Sequence, residues 1–209
     1  LLGSILNNGK SSARLVFASS AQVYSWKSCK TPFRETRKTN SDTVHGVSKQ
    51  DAENLIRISG IPFTVLRFSN IYGPGCRPNY NSVVATLCYR AVRGLPLVIN
   101  GDGRQGRDFV YIEDVVRAFV LAGFESVAGS GKIFNVSSGR MVSINQIVKQ
   151  ICRLHKNAKV EYLMGKQNSD ISYCCDPSRF FRKYGWRPRV SLSRGIEQTL
   201  SYFKGRKIT

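Results

Sequence analysis

Two short runs of residues set the limits on what this chain can fold into. Leu15-Val16-Phe17-Ala18 is apolar without a break, and Phe63-Thr64-Val65-Leu66-Arg67-Phe68 is dense in β-branched and aromatic side chains. A strand with one face in water alternates polar and apolar residues, whereas a strand buried on both faces of a parallel sheet does not. Between the runs, Val47, Ala52, Leu55, Ile56 and Ile58 recur at helical spacing from Gly46 onward, and Gly60 with Pro62 ends the pattern. Strand, helix and strand, with both strands buried, make a parallel crossover.

Further along, Ser82 to Val92, Glu113 to Phe124, Ile144 to Leu154 and Ser191 to Phe203 read as helices. Leu97 to Ile99 and Ile133 to Val136 read as strands, and Asn100-Gly101-Asp102-Gly103 as a tight turn, on its own a hairpin signal. The elements alternate in the first half and become irregular afterwards. The expected class is therefore α/β, a doubly wound parallel sheet built by residues 1–76 and 108–137, with a smaller lobe built by 77–107 and 138–209. Ligands of such sheets bind outside the carboxyl ends of the strands. Ser20, Asn70 and Tyr72 are polar residues at such ends.

With 209 residues and 42% apolar side chains, the chain can bury a substantial core. Its apolar runs stop well short of the roughly 20 residues a membrane helix needs, so no membrane span is expected. The opening Leu-Leu-Gly-Ser resembles the middle of a helix rather than a secretory signal, and the expectation is a truncated chain. The six cysteines form no CxxC pair and no metal-ligand spacing; free thiols in a reducing cytoplasm and no metal site are expected. A formal charge of +19 raises nucleic acid as a partner. The basic groups at Lys27 to Lys38, Arg179 to Arg189 and Lys204 to Lys207 carry no nucleic-acid motif or aromatic platform, so none is expected. The charge reads instead as a solvated face or as a pull on diphosphate-bearing substrates.

His45 and Lys49, four apart at the start of a helix, project from one face and can share a site. Ser20 at a strand end can complete a cluster of hydroxyl, imidazole and ammonium. Spacing alone equally describes a solvated helix edge.

The strings FASSAQVYS, PFRE, HGVSKQDAE, LRFSNIYGPG and GDGRQGRDFVYIEDV, followed by FNVSSG, Asp170 and KYGWRP, resemble in content and order the extended short-chain dehydrogenase/reductases, the NAD-dependent epimerase/dehydratase family. The resemblance runs from Leu15 onward. It implies the carboxyl-terminal part of a Rossmann-type fold, with residues 1–76 and 108–137 as the remainder of the NAD-binding domain and the smaller lobe binding substrate. The family's first three strands and its glycine-rich dinucleotide turn have no counterpart in these residues. It also implies a cytoplasmic enzyme, NAD or NADP as cofactor, a nucleotide-diphosphate sugar as substrate, and a homodimer.

By position, Ser20 matches the hydroxyl that bonds the substrate, and Lys49 the lysine that holds the nicotinamide ribose. The catalytic tyrosine position holds His45. A phenol with a reference pKa of about 10 needs cationic help to act near neutrality, whereas imidazole does not. The imidazole is shorter, and Lys49 opposes its charged form, so impaired catalysis is expected. Ala18, Ser19, Phe68 and Ser69 match the cofactor side. Asn70, Arg107 and Asp170 match the substrate diphosphate and carboxyl-lobe positions, although Gln167 stands where the family usually has arginine. Ala21 and Gln22 replace the acidic pair of the family's dehydratases, so the pattern is most similar to the 4-epimerases. Residues 76–84 are similar to enzymes of polysaccharide sugar synthesis, which keeps a 4-keto reductase as an alternative. A non-catalytic relative is a third reading.

Overall fold

The computed structural model describes residues 14–25, 31–80, 82–124, 131–163 and 172–205. Its strands are β1 (Leu15–Ser20), β2 (Phe63–Phe68), β3 (Asn70–Tyr72), β4 (Leu97–Asn100), β5 (Gly106–Arg107), β6 (Phe109–Tyr111), β7 (Lys132–Val136), β8 (Val142–Ser143) and β9 (Val160–Leu163). The helices, numbered among the described residues, are α1 (Val44–Ile58), α2 (Val83–Val92), α3 (Ile112–Gly123), α4 (Ile144–Leu154), α5 (Ser178–Tyr184) and α6 (Leu192–Lys204).

β1, β2 and β7 form an all-parallel sheet with β2 in the middle, Ser20 beside Phe68 and Phe68 beside Val136. Every residue of β2 is buried, as its unalternating composition requires. Alternate residues serve opposite layers. Leu66, Phe68, Phe134 and Val136 pack with Val115 and Ala118 of α3, while Phe63 and Val65 pack with Ile56 of α1. The sheet is thus covered on both faces, the part of a Rossmann-type α/β fold that these residues build.

Helix α1 forms where expected but turns differently from the apolar pattern. Val47, Leu55 and Ile58 are exposed, and the buried positions are Gly46, Glu53 and Ile56. A buried ion pair, described below, fixes that rotation in place of an apolar stripe. The smaller lobe packs α2, α4, α6 and β4 around Leu87, Ile99, Ile147 and Leu200. The turn at Gly101–Gly103 does not close a hairpin, because β4 pairs in parallel with β9, a strand exposed at all four residues and without a recognisable pattern. Residues 178–186 contribute Phe180 and Trp186 to the core of the sheet. Among the described residues no helix is long and apolar enough to cross a membrane.

Candidate active site

The carboxyl tip of β1 is where the first cluster assembles. Ser20 caps a 3-10 turn at Ala21–Val23, its Oγ accepting from the Gln22 N–H at 3.1 Å. Helix α1 begins directly against this turn. Thr43 caps the helix by accepting from the Gly46 N–H at 3.0 Å, and the same hydroxyl donates to Gln22 Oε1 at 3.1 Å. Glycine at 46 is what permits the approach, since a Cβ there would lie 2.2 Å from the Gln22 carbonyl oxygen and 2.0 Å from Ser41 Oγ. One turn on, Lys49 Nζ donates to the Ala18 carbonyl at 2.9 Å and stands 5.0 Å from the Phe17 ring centroid. His45 is exposed and borders a cleft of about 500 Å³ together with Gln22, Tyr80, Ser82 and Thr86. Ser20 and Lys49 therefore lie at the β1 tip, and His45 stands on the first turn of the helix that packs against it; among the described residues no hydrogen bond joins any two of their side chains.

A buried polar network holds α1 at this angle. Arg67 Nη2 and Nε donate to Glu53 Oε2 and Oε1 at 2.6 and 3.0 Å, with the two side chains 5% and 4% exposed. Arg67 Nη1 donates to the Tyr24 hydroxyl at 3.0 Å, which donates onward to Asn135 Oδ1 at 2.8 Å. Burial pushes the Tyr24 phenol well above its ordinary range, against the pull of Arg67. Ser19 Oγ also donates to Glu53. Sequence patterning missed this network, because Glu53 and Arg67 look like ordinary helix and strand polar residues. Its presence changes the reading of the expected cofactor-contacting set. The Ser19 side chain belongs to the network, Phe68 packs 5.3 Å from the Phe119 centroid in the core, and Ser69 Oγ donates to Asp108. Of that set, Ala18 is exposed and Lys49 half-buried, within reach of a ligand.

The second cluster lies at the end of the neighbouring strand. Asn70 Nδ2 donates to the Asp108 carbonyl at 3.0 Å and to the Tyr173 hydroxyl at 3.2 Å, and the Arg107 guanidinium stands 5.4 Å from the Tyr173 centroid. Burial pulls Arg107 below the usual arginine value. Burial also pushes Tyr173 up to about 12, against the bond from Asn70. Tyr173 was not anticipated from sequence. Asp108 is fully buried. Its carboxylate accepts from the Ser138 N–H and hydroxyl at 2.8 and 2.6 Å and from the Gly139 N–H at 3.0 Å. Burial pushes its carboxyl above the ordinary range while these donors oppose the shift. A second buried acid, Asp114, accepts from the Arg189 and Val190 N–H groups at 2.9 and 3.1 Å, and Trp186 Nε1 donates to its carbonyl at 3.0 Å. The KYGWRP segment is thereby fixed to α3. Asp170 lies outside the described residues.

Three features now stand together: a parallel sheet covered on both faces, Ser20 and Lys49 at one strand tip with His45 at the start of the adjoining helix, and Asn70 and Arg107 at the end of the next strand. Residues 1–137 match the NAD dependent epimerase/dehydratase family. The UDP-glucuronate 4-epimerase of Thermodesulfobacterium geofontis is 30% identical over 207 residues, covering 91% of this chain and 59% of that protein. The structure of the UDP-glucose 4-epimerase of Thermotoga maritima with UDP-glucose superimposes with a TM-score of 0.88 at 30% identity, over 98% of this chain and 67% of that one. The UDP-glucuronic acid 4-epimerase of Bacillus cereus in complex with NAD gives 0.80 at 26% identity, over 92% and 61%. This chain thus spans about three fifths to two thirds of the length of such relatives. Sequence match, superposition and the two clusters converge, and the chain belongs to the NAD-dependent epimerase/dehydratase family.

Proposed function

We propose that this protein is an NAD-dependent nucleotide-sugar 4-epimerase, acting on a UDP-sugar through a 4-keto intermediate, in which His45 takes the place of the family's catalytic tyrosine. The observation that supports the reading is the packing of the α1 start onto the β1 tip through Thr43, Gly46 and Lys49, with Ser20 at that tip and His45 one turn before Lys49 on the helix. The residues present fit the nicotinamide end of a dinucleotide. Lys49 uses one proton on the Ala18 carbonyl and, half-buried, keeps donors for a ribose hydroxyl. NAD, when bound, supplies the hydride acceptor. Ser20 bonds the reacting hydroxyl of the sugar, and His45 takes its proton as general base and returns it to the epimer. Asn70 and Arg107 hold the diphosphate, for which a planar guanidinium is well shaped.

Among the reactions of the family, dehydration fits least. Ala21 is buried and Gln22 accepts from Thr43, so neither delivers an acid proton for loss of water. The reading also includes a homodimer, for which the exposed Val47, Leu55 and Ile58 of α1 offer an apolar face. The test is conversion of UDP-glucose or UDP-glucuronate to the 4-epimer by the full-length protein with NAD, followed by chromatography. A tyrosine in place of His45 is expected to raise kcat, by at most about 10² to 10⁴, the usual worth of a well-matched acid–base group. If His45→Tyr gains nothing, the assignment of His45 to the reacting position fails.

A further inference from the structure

A cleft of about 680 Å³ contains none of Ser20, His45, Lys49, Asn70 or Arg107. It opens between α5, the segment leading into α6, and the β3–β6 and β5–β8 pairs. Its floor is apolar, from Phe109, Val142, Val190 and Leu192, and its cations are Arg140, Arg187 and Arg189. No carboxylate is among its lining residues, and none of the three guanidiniums forms an ion pair among the described residues. Three positive charges around one apolar hollow, with no carboxylate in its lining, are complementary to an anion with a flat apolar body.

The arginines stand on a fixed segment. The Arg189 and Val190 N–H groups are held by buried Asp114, and Arg117 donates to the Arg187 carbonyl at 2.7 Å. The Arg187 guanidinium is stacked 4.0 Å from the Phe181 centroid, which orients its plane and leaves the N–H edge for an oxyanion. Ser138, Ser178 and Ser191 add hydroxyls at the wall. The volume lies within the range of roughly 300 to 1,000 Å³ common for small-molecule sites.

From this we infer a second ligand site, distinct from the sugar-nucleotide crevice, that takes a nucleoside phosphate with its base on the apolar floor and its phosphate among Arg140, Arg187 and Arg189. The inference does not depend on the epimerase reading. It does touch that crevice physically: Ser138 lines the cleft and bonds Asp108, whose carbonyl holds Asn70.

Titration calorimetry of the full chain with adenosine 5′-monophosphate, adenosine and inorganic phosphate tests the assignment. The monophosphate is expected to bind, with adenosine and phosphate each weaker by about tenfold or more. An Arg187→Gln/Arg189→Gln double variant, whose altered residues are exposed, should keep its melting temperature and lose at least about tenfold in affinity for the monophosphate. An Arg107→Gln variant should bind it as the parent does. Equal affinity for adenosine, equal affinity for phosphate alone, no effect of the double variant, or loss of binding in Arg107→Gln would each overturn the proposal.

Discussion

Replacing Arg67 by methionine tests the load placed on the network beneath α1. Arg67 and Glu53 are 5% and 4% exposed, joined by two N–H···O bonds of 2.6 and 3.0 Å. Arg67→Met removes both bonds and leaves a carboxylate in the interior with the Ser19 hydroxyl as its remaining named donor. Breaking a buried pair from one side costs about 3 to 5 kcal/mol, a large share of the roughly 5 to 15 kcal/mol that stabilises an ordinary domain. Glu53→Leu should cost a similar amount, since it strands the guanidinium instead. The double variant removes both charges and leaves only the Tyr24 and Ser19 hydroxyls short of a partner, at about 1 to 3 kcal/mol each. It should therefore be several kcal/mol more stable than the sum of the single losses predicts. Urea unfolding of the four proteins at constant m-value measures the cycle. Additive losses, or a loss below about 1 kcal/mol for Arg67→Met, would show that the pair does not hold the helix.

Other outcomes follow from single contacts. Tyr173 holds its proton to about 12, while an unfolded tyrosine loses it near 10. Both states are protonated below pH 10, so stability should fall only as pH rises from about 10 to 12, by roughly 3 kcal/mol for this group. Tyr173→Phe should flatten that slope in melting curves followed with phenolate absorption, although Tyr24 and Tyr72, also raised by burial, leave part of it. Gly46→Ala should destabilise. The gain of up to about 1 kcal/mol from helix propensity is outweighed by a Cβ 2.2 Å from a backbone oxygen that cannot move aside, a strain of about 1 to 3 kcal/mol. Its epimerase activity should fall further than its melting temperature suggests. Asp114→Ala leaves the Arg189 and Val190 N–H groups unpaired and should cost about 2 to 4 kcal/mol in chemical denaturation.

How far the sequence could be read depended on what kind of burial each residue has. The crossover of β1, α1 and β2 was legible because apolar patterning reports strands buried on both faces, and α4 was found at its observed limits, Ile144–Leu154. Patterning failed where burial is polar. The outward turn of Val47, Leu55 and Ile58 follows from Glu53 pairing with Arg67, and no hydrophobic period encodes that. Strand β9 was missed because all of its residues are exposed. The seven-residue α5 carries Arg179, Arg182 and Lys183 and reads as a charge run, yet it buries Phe180 against Phe134. A signal for the buried acids did exist. Asp108 and Asp114 flank Phe109-Val110-Tyr111-Ile112, and acids bracketing so apolar a run have little water to face.

The candidate site divides in the same way, and the division explains how position 45 can change at all. The start of α1 is set by the Thr43 cap, the bare Cα of Gly46, the Lys49 bond to Ala18 and the Glu53 pair. The His45 side chain contributes to none of these; it is exposed and makes no hydrogen bond among the described residues. Architecture and the acid–base role proposed for His45 are therefore carried by different residues, and a change of side chain at position 45 leaves the scaffold intact. His45→Ala should then shift unfolding free energy by no more than about 0.5 kcal/mol while lowering the kcat of the proposed epimerisation below that of the parent. A loss above about 1 kcal/mol in the same urea titration would mean that the imidazole is part of the helix anchor, and that its side chain is not free to serve as the base.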